Sequence, residues 1–426
     1  MFLNPLSTRY KDISRKITFR HPFTKKLVTL KATDISGSGF SAEEDENRAV
    51  LLPGMIIPEL ELNFSGKSTI ECKAQVLYRQ ISCGDQRGIR IKCGIAVLDM
   101  LFEDNMKLLS ILHQEKESNS YVCNRVDMDA LWDFFFETGF IYPSKYEFIQ
   151  KNKRQIKDTY EKLYTQHPNI ARHFIYQGKN RILGHMAMLR FYGNTWLIHH
   201  HASRKSARNK AGLIVLDQIG DFTYNCHRLH SLHMNFLICY YRTENKFPSR
   251  VFGGAARHIK DPKQCSVDGF AYFHYKNIPG IKHKLSEPWQ LTETKDEELV
   301  ELKSFYEHES GGLMMPALDL EPGMADFDEL AKEYHKLGFK RQKLLFSLKK
   351  NNTLKAVAIV NISDIGLNLS DLTNSIKIIV LDPDDLYRET IDGMLALLTE
   401  KMNQENTSIL LFPVAYAKHK DIPYEK

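Results

Sequence analysis

The stretch Asp34-Ile35-Ser36-Gly37-Ser38-Gly39 decides how the first quarter of this chain is read. It follows an alternating, strand-like run from Leu27 to Thr33 and opens another at Phe40–Ala42. Asp, Ser and Gly at these offsets make a tight polar turn between two strands. Asp34 and Ser36 offer oxygens to a purine edge, and glycine lets backbone come close to a ligand. Just upstream stand Arg9, Arg15, Lys16 and Arg20. Arginine forks suit phosphate and the O6/N7 edge of guanine, so the two segments together suggest a site for an anionic guanine nucleotide.

The arrangement resembles the PilZ family, which binds cyclic di-GMP through a basic RxxxR element and a (D/N)xSxxG turn. The second motif is intact as Asp34-x-Ser36-x-x-Gly39. The first departs from the pattern. Its nearest match is Lys16-Ile17-Thr18-Phe19-Arg20, with Lys in the first place, while Arg15 and Arg20 are one residue too far apart. Arg9 with Arg15 is a looser alternative. The resemblance covers about residues 1–115 and implies a small antiparallel β-barrel that takes cyclic di-GMP on Arg9, Arg15, Lys16, Arg20, Asp34, Ser36 and Gly39. Ile56–Phe64, Ile70–Gln80 and Ile89–Asp99 read as further strands of such a barrel. The plain alternative is hairpin chemistry without a ligand.

At 426 residues the chain is too long for one ordinary domain. No apolar run approaches the roughly 20 residues of a membrane helix. The start, Met1-Phe2-Leu3-Asn4-Pro5, lacks a signal-peptide pattern. The seven cysteines are dispersed with no CxxC pair, which reads as reduced cytoplasmic thiols and gives no metal site. Net charge is +6, unevenly divided. Residues 1–120 hold 17 basic and 15 acidic residues, residues 121–290 hold 25 and 13, and residues 291–426 hold 16 and 24. The middle segment is suited to a phosphorylated cofactor, an acidic carrier protein, nucleic acid, or the acidic third segment itself.

Boundaries fall near Gln114–Asn119 and Pro279–Asp296. In the middle segment, Asp129–Glu137 and Lys145–Gln166 read as helices. Ala171–Tyr176 and Arg181–Phe191 read as a hairpin, and Thr195–His200 as a third strand. Gly212–Cys226 is a helix, Met234–Tyr241 a buried strand, Pro248–His258 a helix and Gly269–Tyr275 a closing strand. This order resembles the GNAT acyltransferase superfamily over about residues 121–285. The third segment, 291–426, repeats it, with strands at Lys343–Leu348, Lys355–Ile362, Ser375–Asp382 and Ser408–Pro413 and a helix at Tyr387–Asn403. The expected architecture is a barrel plus two GNAT-like α/β domains with mixed central sheets. The closing elements of the second copy look missing or very short, as in a truncated or degenerate domain.

The GNAT resemblance implies an acyl-CoA pyrophosphate held by a glycine-rich loop at a helix N-terminus, where exposed N–H groups favour anions. The loop in that place, Arg204 to Gly212, is basic but lacks paired glycines. Arg204, Arg208, Asn209, Lys210 and Gly212 are its candidates for acyl-CoA or the phosphopantetheine of an acyl carrier protein. The matching loop of the third segment carries Asp384, Asp385 and Glu389, and no CoA is expected there; Asp384 or Asp385 reads as an N-cap. Alternation places His199 and His201 on one face of the strand, as candidate general bases. Tyr240 is a candidate acid for the leaving thiolate. The equivalent tyrosine of the superfamily usually lies on the following helix, where this chain has Phe247 and Phe252. The expectation is a bacterial, cytoplasmic cyclic di-GMP effector whose output is an acyltransferase or its relict. The rival is a docking platform for a protein partner. Nucleic-acid binding is the weakest of the three.

Overall fold

The structure is a computed structural model. It describes residues 15–64, 68–83, 89–116, 120–122, 127–141, 143–167, 169–178, 181–204, 210–277, 285–323, 329–402 and 406–425.

Six strands open the chain: β1 (Arg15–Arg20), β2 (Leu27–Ser36), β3 (Gly39–Asp45), β4 (Ile56–Phe64), β5 (Ser68–Cys83) and β6 (Ile89–Met100). They close into an antiparallel barrel in the order β1-β2-β3-β6-β5-β4. Period-two alternation drives the closure. Ile17 and Phe19 point inward on β1, while Lys16 and Arg20 are exposed between and beyond them. Ala32, Phe40, Leu62, Ile70, Val76 and Ile95 complete the same interior. Burying each large apolar side chain contributes about 1.5–3 kcal/mol. Register shifts between Ala32 and Ile35, Ile57 and Leu60, and Val76 and Tyr78 supply the bends that closure needs.

After α1 (Phe102–Lys116) come β7 (Ser120–Val122), α2 (Met128–Glu137), α3 (Tyr146–Lys151) and α4 (Lys153–Gln166). The expected single helix over Lys145–Gln166 is thus two. It breaks at Asn152, whose side-chain Nδ2 donates to the Phe148 carbonyl at 2.9 Å. There follow β8 (Ala171–Gly178), β9 (Arg181–Tyr192), β10 (Thr195–Ser203), α5 (Ala211–Cys226), β11 (Phe236–Cys239), α6 (Lys246–Ile259) and β12 (Ala271–Lys276). The sheet order is β11-β10-β9-β8-β7, with β10 and β11 parallel across α5. The strand expected at Met234–Tyr241 is shorter and only half-buried.

The last stretch holds β13 (Trp289–Glu293), α7 (Asp296–Glu309), α8 (Met314–Ala317), α9 (Glu329–Lys336), β14 (Arg341–Lys350), β15 (Thr353–Ser363), β16 (Ser375–Val380), α10 (Arg388–Met402), β17 (Asn406–Phe412) and α11 (Val414–His419). Its sheet runs β12-β17-β16-β15-β14-β13, again with one parallel pair, β16 and β17, spanned by a helix. Two expectations are corrected here. The strand near Gly269–Tyr275 pairs antiparallel with β17 of the last sheet. The last sheet is therefore completed by a strand from earlier in the chain, and α11 follows β17. Residues of β15, β16 and α10 form its core, including Ala358, Val360, Ile376, Ile378, Met394 and Leu398. The chain thus has the expected architecture of a barrel followed by two mixed α/β sheets.

By internal contacts the chain forms two compact units. One comprises Met1–Tyr142, Tyr164–Met188 and His200–Asn235, and the other Pro143–Leu163, Leu189–His199 and Phe236–Lys426. Among the described residues no helix is long and apolar enough to cross a membrane.

Candidate functional site

The turn between β2 and β3 is built from within. Ser36 Oγ donates to the Gly39 carbonyl at 3.0 Å and lies 3.4 Å from Ser38 Oγ. Gly39 is required by packing, since a Cβ there would lie 2.6 Å from the Ile95 carbonyl on β6. Gly37 is required by a different neighbour: a Cβ would fall 2.5 Å from Asn225 Cβ, at the end of α5, and 3.3 Å from Leu109 on α1. The turn is therefore in contact with both helices.

Asp34 projects beside the turn and accepts from Lys92 Nζ at 2.6 Å. That hydrogen bond raises the Lys92 pKa. Lys16 on β1 pairs with Lys31 on β2, Lys31 with Glu43 on β3, and Glu43 with Lys92 on β6. A charged row thus crosses the barrel beside Asp34. Sequence reading missed Lys31 and Lys92, which lie far from the motif in sequence and reach it only through strand register. Lys16 and Arg20 are exposed, whereas Arg15 is buried. Arg9 lies outside the described residues.

The helix that meets the turn at its C-terminal end carries the candidate donor loop at its N-terminal end. Sixteen residues of α5 span about 24 Å. At the first turn, a Cβ on Gly212 would sit 3.1 Å from Ser203 Oγ and 3.3 Å from His201 Nε2. Gly184 on β9 faces the same place, where a Cβ would be 2.8 Å from the Ala211 carbonyl. His201 Nε2 lies 3.0 Å from the Gly212 carbonyl, which puts the ring proton on Nε2. Burial lowers the His201 pKa, and the bond to that carbonyl opposes the shift. Lys210 is exposed at the helix start. Arg204 Nε donates to the Ile182 carbonyl at 2.8 Å, and its Nη1 pairs with Glu137. An acid therefore stands beside the basic loop. It was not foreseen, because Glu137 ends a helix far upstream. Arg208 and Asn209 lie outside the described residues. Along its length α5 is anchored by Phe222, over which the buried Arg172 guanidinium lies at 4.0 Å, and by Cys226, which receives Asn105 Nδ2 at 3.4 Å.

The other two residues proposed for catalysis lie in the second compact unit. His199 Nδ1 accepts from Asn368 Nδ2 at 2.9 Å. Burial pushes its pKa down to about 3, so it is neutral at ordinary pH and a weak base. His200 has φ of 54°, a left-handed conformation that interrupts the alternation expected to align His199 with His201. Tyr240 is raised well above the usual phenol range by burial. Its ring centroid is 5.5 Å from Lys377 Nζ. Lys377 is 1% exposed in the middle of β16 and donates to Tyr192 Oη at 3.3 Å. Asn361 Nδ2 donates to the same oxygen at 3.4 Å. Burial alone lowers Lys377 to about 7. This buried amine with two phenols was missed, although Lys377 is the one charged residue in the apolar run Ser375–Val380.

The acidic loop before α10 also differs from expectation. Asp385 sits at φ 58° and pairs with Lys350 at 3.0 Å, and Lys355 pairs with Asp382. The helix begins only at Arg388, so neither Asp384 nor Asp385 is its N-cap. The thiols of the buried Cys72 and Cys93 and of the half-buried Cys239 are pushed up to about 12, chiefly by loss of solvent, and stay protonated.

No protein-family model matches the chain, and no curated protein matches it. Among solved structures, a putative acetyltransferase from Thermoplasma acidophilum is 9% identical over 70% of this chain and 92% of its own, with a TM-score of 0.31. The PilZ domain of YcgR from Escherichia coli, solved with c-di-GMP, is 14% identical over 25% of this chain and 83% of its own, at 0.22. K. pneumonia MrkH in its apo state is 14% identical over 28% of this chain, at 0.25, and the chain spans about half of its length (53%). Similarity at these scores is too low to carry an argument about activity.

Proposed function

We propose that this chain is a cyclic di-GMP-responsive effector whose output module derives from an acyltransferase. The observation that carries the reading is the Asp34-x-Ser36-x-x-Gly39 turn on a closed six-stranded barrel, in contact at Gly37 with the helix that begins at the candidate donor loop. Asp34 and the exposed Lys16 supply the charge for guanine and phosphate, while Arg20 lies opposite Leu27 at the far end of β1, apart from the turn. Arg9 and Arg15 complete the proposed ligand set. A nucleotide that settles on the turn presses on α5 near Asn225, and a stiff helix carries the displacement to Gly212.

In this reading an acyl donor with a phosphorylated carrier binds at Lys210, Gly212 and the rest of the basic loop, with Arg208 and Asn209. His201 is the better base of the two histidines, because His199 is buried with a pKa near 3. Burial raises the Tyr240 pKa and so weakens it as an acid, which leaves it a hydrogen-bond donor. The second reading is a protein-docking platform controlled by the same nucleotide. The pairing of Arg204 with Glu137 favours it, since the acid offsets charge that a donor phosphate needs.

A thermal-shift series on the full chain separates the two. Stabilisation by acetyl-CoA or a longer acyl-CoA, lost on Lys210→Glu, supports the enzyme. Stabilisation by cyclic di-GMP alone assigns the platform. Loss of the Asp34→Ala response to cyclic di-GMP is expected in both.

A further inference from the structure

We infer that the β1–β2 hairpin tip is a membrane-surface element whose partner is a bilayer leaflet with anionic headgroups. The hairpin, residues 15–31, carries six Lys and Arg and no acidic residue. At its tip Phe23 is 72% exposed and Leu27 68% exposed, and Arg20, Lys25 and Lys26 around them are exposed too.

This tip is firmly built. His21, 5% exposed, accepts from the Phe23 and Thr24 amides on Nδ1 at 3.2 Å each, and its Nε2 donates to the Val50 carbonyl at 3.2 Å. The His21 amide donates to the Lys26 carbonyl at 2.8 Å, and the Lys25 amide donates to the His21 carbonyl at 2.9 Å. Arg20 Nη1 donates to the Lys25 carbonyl at 3.2 Å. Six ties therefore hold an aromatic ring out in water. Two residues beyond Val50, Leu52 is 48% exposed.

Apolar side chains ringed by lysines are what an anionic interface selects. The ring and aliphatic groups enter the headgroup boundary while each ammonium meets phosphate. Nucleic acid would use the same lysines, but Phe23 and Leu27 then add nothing to phosphate contacts or edge readout. The nearest acid in register, Glu61, pairs with Thr18, away from the Lys25–Lys26 turn. The nucleotide turn lies towards the opposite ends of these strands, where Lys16 pairs with Lys31, so the tip is a separate surface.

The test is co-sedimentation of the full chain with vesicles of phosphatidylcholine alone and of phosphatidylcholine mixed with phosphatidylglycerol. Binding is expected only to the mixed vesicles and weakens with salt. Lys25→Glu with Lys26→Glu should weaken it about 10²-fold, and Phe23→Ser about tenfold. A Phe23→Trp variant should shift its emission to the blue on the mixed vesicles. All these side chains are exposed, so an unchanged melting curve checks that the variants fold. Absence of binding to the mixed vesicles overturns the inference, as does equal binding to both vesicle types. Binding untouched by Phe23→Ser and competed by duplex DNA also overturns it, and reduces the hairpin to a general polyanion patch.

Discussion

Replacing Lys377 with Met should make this protein more stable at neutral pH and flatten its alkaline stability profile. Lys377 is fully buried on β16, with Tyr192 Oη as a hydrogen-bond partner and the Tyr240 ring beside it. Burial lowers its pKa from 10.5 to about 7. At 1.36 kcal/mol per unit, holding the amine neutral in the fold near pH 7 costs about 5 kcal/mol. In the unfolded chain the amine still carries its proton from pH 7 up to its ordinary pKa. The unfolded state therefore binds more protons across that window, and stability rises with pH between about 7 and 10.5. Methionine fills nearly the same volume without the amine. It forfeits the bond to Tyr192, worth about 1 kcal/mol, so a net gain of about 2–4 kcal/mol at pH 7 is expected. Urea unfolding of both proteins at pH 7 and at pH 9 measures it. The variant's advantage should shrink by about 2–3 kcal/mol over those two pH units. An advantage that stays constant between pH 7 and pH 9, or a variant that is less stable at both, would refute the account of the buried amine.

Four other outcomes follow from the geometry. Gly39→Ala should destabilise by about 1–3 kcal/mol, because its Cβ meets the Ile95 carbonyl at 2.6 Å; thermal melting that matches wild type would contradict this. His199 is neutral in the fold down to about pH 3, whereas the unfolded chain takes up its proton near 6.5, so its share of stability is present above that pH and lost as pH falls towards 3. His199→Asn should accordingly lose less stability than wild type between pH 7 and pH 4 in denaturant titrations. Asp34→Ala breaks an exposed pair with Lys92 worth at most about 1 kcal/mol, so its melting temperature should barely move while nucleotide binding is lost. Asn225→Gly, which removes the Cβ facing Gly37, should leave cyclic di-GMP affinity near wild type but uncouple it, so hydrogen exchange at the start of α5 no longer responds to the nucleotide.

Much of the architecture was legible in sequence, for reasons that differ by element. The strands of the barrel announce themselves by alternation, as in Ile17 and Phe19 against Lys16 and Arg20. The last sheet reads clearly because β15 and β16 are largely apolar between turns and β14 has an apolar centre at Leu344–Phe346. The strand Trp289–Glu293 was absorbed into a linker, since it is short, half-exposed and set in a run of charge. The partner of β12 was not legible at all. Period-two patterning says which side chains share a face, not which sheet edge the strand will join. The candidate site was harder still. The motif placed Asp34, Ser36 and Gly39, but Lys92 reaches Asp34 from 58 residues away through barrel register. His199 and His201 were aligned by an alternation that the left-handed backbone of His200 breaks. Lys377 was visible as a lone charge among Ile376, Ile378 and Ile379, and burial cost is the signal that marks it.

The central claim is that this barrel takes cyclic di-GMP at the Asp34–Gly39 turn. Isothermal calorimetry of the full chain with cyclic di-GMP tests it most directly. Saturable heat is expected for the wild type and none for Asp34→Ala with Lys16→Ala, since each substitution removes charge-assisted hydrogen bonds of roughly 1.5–3 kcal/mol. A wild type that gives no heat at protein concentrations well above micromolar, or a double variant that binds as wild type does, would contradict it.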